Sequence, residues 1–235
     1  MFKKLSYLFF CLIAATLFLK AQTAEEIINK SIAAVGGTEK YQNLKSIFVN
    51  AEVNSMGFTI PISITQKGKS FYIEQSIMGQ VMKIGYDGTE GWMVNPMGGS
   101  SEPQKMDEAQ LEQFKQQNDI TKNPVLKFKE EGNKFELMGI EKVDDVKAYK
   151  IKTTNKDNEE RILFINSSNY LPIKLVTERG EEQGEVLIKD YKDIGGIMMF
   201  HLIEVKSQGQ DISFKFNEIK LNPEVDDKIF KMPSK

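Results

Sequence analysis

One histidine and one cysteine limit the covalent chemistry open to this 235-residue chain. His201 lies in Met198-Met199-Phe200-His201-Leu202-Ile203, a run with strand character, and a lone imidazole offers neither a second zinc ligand nor a relay partner. It has the chemistry of a general base, but a structural histidine on a strand fits the same spacing. Gly68-Lys69-Ser70 ends like a phosphate-binding loop, yet the required earlier glycine is replaced by Ser63 and no helical pattern follows. Paired acids occur at Glu25-Glu26, Asp144-Asp145, Glu159-Glu160, Glu181-Glu182 and Asp226-Asp227. Adjacent residues on a strand face opposite ways, so such pairs do not converge on a substrate, and solvated element ends account for them. Asn166-Ser167-Ser168 fits a glycosylation acceptor, which carries meaning only in a eukaryotic setting. No catalytic residue, no metal ligand set and no cofactor site is therefore assigned.

Softer chemistry is better represented. Outside the initiator there are ten methionines, Met56, Met78, Met82, Met93, Met97, Met106, Met138, Met198, Met199 and Met232. Unbranched, polarizable side chains suit surfaces that accept varied apolar ligands, and they also fill ordinary cores.

The N-terminal stretch Met1 to Ala21 has Lys3 and Lys4 followed by an apolar run from Leu5 to Leu19, the order of a secretory signal. The run is short for a membrane span of ~20 residues, and cleavage is expected after Ala21, with an uncleaved anchor as the alternative. Cys11 sits inside this run without the small residues of a lipobox, so lipidation is not expected and the mature chain is cysteine-free. Without Lys3, Lys4 and Lys20, the 31 basic residues become 28 against 33 acidic ones, a net charge of −5. An acidic balance with no basic stripe argues against nucleic acid and anionic membrane surfaces as partners.

From Thr23 the pattern is helical. Thr23-Ala24-Glu25-Glu26 is a capping box, Ile27, Ile28, Ile32 and Val35 fall on one face, and Gly36-Gly37 supplies the stop. A second short helix is expected over Thr38 to Leu44. The period then changes to two. Ile47, Val49, Ala51 and Val53 alternate with polar neighbours, Met56-Gly57 turns the chain, and Phe58, Ile60, Ile62 and Ile64 repeat the alternation. Lys67-Gly68-Lys69 turns again into Phe71, Ile73 and Ile77, and Gly79-Gln80 turns into Met82, Ile84 and Tyr86. Pro61 within a strand predicts a local edge or bulge. Asp87-Gly88 reads as a hairpin corner that carries Trp92 and Val94 onto the same inner face as Met82, Ile84 and Tyr86.

Gly98 to Pro103 reads as a loop, Met106 to Gln117 as a helix, and Asn118 to Gly132, interrupted by Pro124, as an irregular or briefly helical connection. Seven strands are then expected, over 134–142, 147–154, 161–166, 171–177, 185–192, 198–206 and 211–220, separated by short polar turns. Strands joined in this way make an antiparallel meander and exclude a doubly wound sheet. The fold class is mainly β (α+β). Eleven or twelve strands form one strongly curved antiparallel sheet, with an N-terminal helix and a mid-chain helix on its concave side. A two-domain alternative would split within 118–132.

Three stretches carry a family resemblance: Tyr86-Asp87-Gly88-Thr89-Glu90-Gly91-Trp92-Met93-Val94-Asn95-Pro96, the corner Gln66-Lys67-Gly68-Lys69-Ser70-Phe71, and the ending Asn222-Pro223-Glu224-Val225-Asp226-Asp227-Lys228-Ile229-Phe230. With the N-terminal helix, and in this order, they resemble the LolA/LolB-like family of periplasmic lipoprotein carriers. The resemblance implies an incomplete β-barrel over 22–235 as a single half-barrel domain, its open side covered by helices around a cavity for acyl chains. In the dedicated carriers an arginine follows the Gln-Lys corner, whereas that position here is Gly68, with Lys67 and Lys69 beside it.

On this basis the expected function is a non-catalytic periplasmic carrier of a diderm bacterium, involved in outer-membrane biogenesis. It would be a monomer binding the acyl chains of lipoproteins or lipids, with a membrane lipoprotein machinery as a further partner and no nucleic acid. The expected cavity wall is Phe58, Ile60, Ile62, Ile64, Phe71, Ile73, Met82, Ile84, Tyr86, Trp92 and Val94, and Met106 and Phe114 belong to the lid. A protein-interaction or lipid-sensing module on the same fold is the alternative, followed by a cofactor-free enzyme using His201.

Overall fold

A computed structural model describes residues 22–117, 123–179, 182–207 and 209–234. The expected signal peptide, Cys11 within it, and the turn residues Gly180, Glu181 and Gln208 lie outside the described residues.

Helix α1 (Ala24–Ala34) begins at the expected capping box: Thr23 Oγ1 accepts from the Glu26 amide and the Glu26 carboxylate accepts from the Thr23 amide, both at 3.2 Å. Its buried stripe is Ala24, Ile27, Ile28 and Ser31, the spacing of one helix face. Thr23→Ala removes a satisfied N-cap, and a loss of about 1 kcal/mol in urea unfolding is expected. The helix ends at Val35, whose carbonyl accepts from the Met198 amide at 3.1 Å. Gly36 follows at φ 121, and a Cβ there would stand 2.7 Å from the Gly196 carbonyl oxygen, so only glycine lets the loop approach this closely. Helix α2 (Thr38–Gln42) places Lys40 to donate to the same Gly196 carbonyl at 2.9 Å.

Thirteen antiparallel strands follow among the described residues: β1 (Ser46–Ser55), β2 (Phe58–Lys67), β3 (Ser70–Ile77), β4 (Gln80–Tyr86), β5 (Gly91–Asn95), β6 (Ser100–Lys105), β7 (Lys134–Val143), β8 (Val146–Thr154), β9 (Glu160–Asn166), β10 (Pro172–Arg179), β11 (Glu182–Ile194), β12 (Ile197–Ser207) and β13 (Gln210–Leu221). They form one sheet in the order β6-β5-β4-β3-β2-β1-β13-β12-β11-β10-β9-β8-β7. Only the β1–β13 junction departs from neighbour-to-neighbour order, which brings the last strand beside the first. The sheet does not close, and its architecture is that of an incomplete β-barrel.

One expectation is corrected and one is met. Gly98 to Pro103 is not a loop throughout, because β6 pairs with β5 through Trp92↔Lys105 and Met93↔Gln104. Pro103 obscured that strand, but β6 is an edge, where a missing amide costs no ladder bond. The connection over 118–132, expected to be irregular or briefly helical, holds helix α4 (Pro124–Glu130), with Asn123 capping the Val125 amide at 3.1 Å, and its residues 118–122 lie outside the described residues. Pro124 opens that helix, since its fixed φ suits the first turn and its absent amide needs no partner there. Helix α3 (Glu108–Gln117) lies where the sequence placed a helix, capped by Asp107, whose carboxylate accepts from the Gln110 amide at 2.8 Å. As for Pro61, the β2–β3 ladder starts only at Ile62, so the proline sits just beyond it on a local edge.

The helices cover one face of the sheet, the inner face. Two cores result. The first packs Ile47, Val49, Ile64, Phe71, Ile73, Ile84 and Tyr86 beneath Met106 and Leu111 at the α3 end. The second packs Ile27 and Ile28 of α1 and Val125 of α4 on Ile151, Leu163 and Ile165.

Candidate functional site

Between these two cores the inner face is only half covered. Cross-strand register follows one row over nine strands, apolar at all but Ser55: Leu137, Ile151, Leu163, Leu175, Val186, Val205, Ile212, then Ser55 and Phe58. A second row runs Ile188, Ile203, Phe214, Val53, Ile60. Ile151, Leu163 and Ile188 are buried, whereas Leu175, Val186, Val205, Ile212, Ile203, Phe214, Val53 and Ile60 all remain half-exposed. Consecutive half-exposed apolar side chains on a helix-covered face make a hydrophobic groove, with β1, β2 and β11–β13 as its floor.

Aromatic groups close one side. Phe200 packs edge-on against Phe216 at 5.4 Å and against Tyr191 at 6.3 Å, between ring centroids. Tyr191 donates to the Pro172 carbonyl at 2.9 Å, and burial raises its phenol well above the usual range. Burial likewise pushes Tyr41 up to about 12, with Asn123 beside it pulling the other way. Both phenols are therefore uncharged at neutral pH. His201, also on β12, is buried, with its Nδ1 3.1 Å from the Met199 carbonyl oxygen, which gives it a local backbone partner.

The expected site residues divide by depth. Ile60, Ile62 and Met82 are half-buried on the inner face, and Phe58 continues their row to an exposed position. Ile64, Phe71, Ile73, Ile84 and Tyr86 are buried within the first core. Met106 is buried there too, and Phe114 of α3 packs partly against the same core.

Trp92 and Val94 are corrected. The loop between β4 and β5 is four residues long, closed by the Asp87 amide to the Glu90 carbonyl at 3.2 Å and by the Asp87 carboxylate accepting from the Thr89 and Glu90 amides. Tyr86 therefore opposes Gly91, Trp92 opposes Gly85, and Val94 opposes Lys83. Across an even-numbered loop, odd positions inherit the face of even ones, so Met93 joins the inner face while Trp92 and Val94 point to the outer face.

On that outer face Trp92 is 3 % exposed and donates from Nε1 to the Phe230 carbonyl at 2.8 Å. Its clamp is the closing 3-10 turn, Asp227–Phe230, with Phe230 itself buried. Lys67 serves the same clamp through Asp227 at 2.6 Å, so its charge fastens the C-terminal segment rather than the helices.

Sequence reading missed Val53 and the C-terminal half of the floor. The signal was present as period-two alternation, in Val186 and Ile188, Ile203 and Val205, and Ile212, Phe214 and Phe216. What alternation lacks is the knowledge that β13 returns to lie beside β1.

A family model described as "-like: Uncharacterized protein" matches residues 82–234. No curated protein matches the sequence. Among solved structures, a DUF1329 family protein from Desulfovibrio piger is similar at 13% identity and TM-score 0.59, over 90% of this chain and 98% of that one. A LolA superfamily protein from Nitrosomonas europaea is similar at 18% identity and TM-score 0.55, over 90% and 98%. A domain from Vibrio parahaemolyticus, described as an outer-membrane lipoprotein-sorting protein domain, is similar at 10% identity and TM-score 0.57, over 87% and 94%. The chain belongs to the family defined by the model over residues 82–234, and its fold is the LolA-like open half-barrel.

Proposed function

We propose that this protein is a non-catalytic carrier that shields acyl chains of lipids or lipoproteins in the groove between its helices and its sheet. The carrying observation is the uninterrupted half-exposed apolar floor formed by Val53, Ile60, Val186, Ile203, Val205, Ile212 and Phe214. Each acyl methylene removed from water contributes about 0.8 kcal/mol, so a partial chain gives useful affinity without a charged anchor. Ile62 and Met82 extend the floor toward α3. A fold shared with lipoprotein-sorting domains supports this reading, as does the secretory pattern of residues 1–21, and together they favour a periplasmic, single-domain monomer.

Organic extraction of the protein purified from its host, followed by mass spectrometry, is expected to return lipids with long acyl chains in a fixed ratio to protein. A protein that returns no lipid, and that does not take up a fluorescent fatty acid, is not a carrier.

A further inference from the structure

We infer that one end of the half-barrel is a membrane-docking rim, by which the protein rests on an uncharged phospholipid surface. The turns joining β1 to β2, β3 to β4 and β5 to β6 lie side by side, because these six strands are consecutive neighbours in the sheet and each turn closes the same end. Each tip carries Met-Gly: Met56-Gly57, Met78-Gly79 and Met97-Gly98. The methionines are 69%, 77% and 57% exposed, and Phe58 and Val81 beside them are 57% and 38% exposed. Of the ten exposed large apolar side chains among the described residues, Met138, Ile140, Val146, Ile229 and Met232 lie elsewhere, while these five are gathered on this one edge.

Folding does not account for two of them. Met56 and Met78 both adopt φ 51, followed by glycines at φ 80 and 77, so each pair turns the chain with two consecutive left-handed residues. Asparagine is the residue favoured at the first of those positions, and methionine there is both conformationally disfavoured and wet.

Charge identifies the surface. Residues 53–66, 75–82 and 91–101 contain no Asp, Glu, Lys or Arg, in a chain where 27% of residues are charged. The turns at the opposite end of the same strands are Lys67-Gly68-Lys69 and Asp87-Gly88-Thr89-Glu90. These three hairpin ends thus offer no ion pair to a protein partner and no cation to anionic headgroups, while Lys206 and Asp211 stand at the neighbouring β12–β13 turn. Short apolar side chains at the headgroup–acyl boundary give shallow, reversible attachment. Phe58 links the rim to the groove, since it continues the row of Ile60 and Ile62. Docking there would align the groove with the lipid phase, yet the rim's composition stands without the groove's occupant.

The test uses residues 22–235, which hold every element described, and flotation with phosphatidylcholine vesicles. The chain is expected to float with the vesicles. Met56→Asn, Met78→Asn and Met97→Gln combined are expected to lower the bound fraction at least tenfold, with an unchanged or higher Tm and unchanged lipid content in the groove. A fluorophore on Met78→Cys is expected to shift to the blue on adding vesicles, and one on Lys69→Cys at the far end is expected not to shift. Failure to float, or equal flotation of the substituted chain, overturns the rim. So does vesicle-independent capture of a protein that the three substitutions abolish. Flotation of a protein that carries no lipid would sink the carrier reading and leave the rim intact.

Discussion

Gly85→Val is expected to lower stability by about 3 kcal/mol, the upper end of what overpacking costs. A Cβ at position 85 would stand 2.4–2.6 Å from three atoms of the Trp92 indole, closer than non-bonded carbons approach. The ring has little freedom to retreat, being held by its hydrogen bond to the Phe230 carbonyl and flanked by Tyr72 at 6.1 Å between ring centroids. Displacing it unseats the C-terminal clamp as well. Urea unfolding followed by circular dichroism measures the loss, and Trp92 emission, from the only tryptophan, should shift to the red in the folded variant. Truncating the indole with Trp92→Leu should recover part of the loss in the double variant, because the two substitutions share one contact. A loss under about 1 kcal/mol would mean that the indole is not fixed.

Ile203→Glu is expected to reduce acyl-chain binding more than tenfold while leaving the fold in place. Ile203 sits mid-row between Ile188 and Phe214, half-exposed, so a carboxylate there stays hydrated in the empty protein and must be desolvated when a chain enters. That cost is at least ~2 kcal/mol, and each 1.4 kcal/mol is a decade in affinity. Leu202→Glu is the matched control. It adds the same charge one residue away, on the outer face opposite Lys215, and is expected to leave binding unchanged. Titration with a fluorescent fatty acid reads both. Equal losses would indicate nonspecific damage, and no loss at Ile203 would exclude the groove floor as the acyl site.

Much of the fold could be read from alternation. The start of β2 at Phe58 and the end of β8 at Thr154 follow from period two between turn residues, and the capping box at Thr23 marked the first residue of α1. Reading failed where local signs pointed away from the tertiary outcome. Pro103 resembles a loop residue until its strand is known to be an edge. The site was half legible. Ile60 and Ile62 were identified because their own strand alternates clearly, whereas Val205, Ile212 and Phe214 join them only through pairing of β13 with β1, about 160 residues apart in sequence. Trp92 drew attention by its size, which marked a packing anchor on the reverse face.

The unjoined margins of the sheet also set what it can hold. In a closed barrel, strand number and stagger fix the bore, and no wider guest enters without breaking ladder bonds. Here β6 and β7 never meet, so the girth of the trough depends on side-chain contacts of α1, α3 and α4 with the sheet. Those contacts are apolar and non-directional, and they can slide apart by small steps without leaving a backbone group unpaired. A trough of this kind is elastic in calibre, and under the proposed carrier function it would suit guests that differ in the number and thickness of their tails.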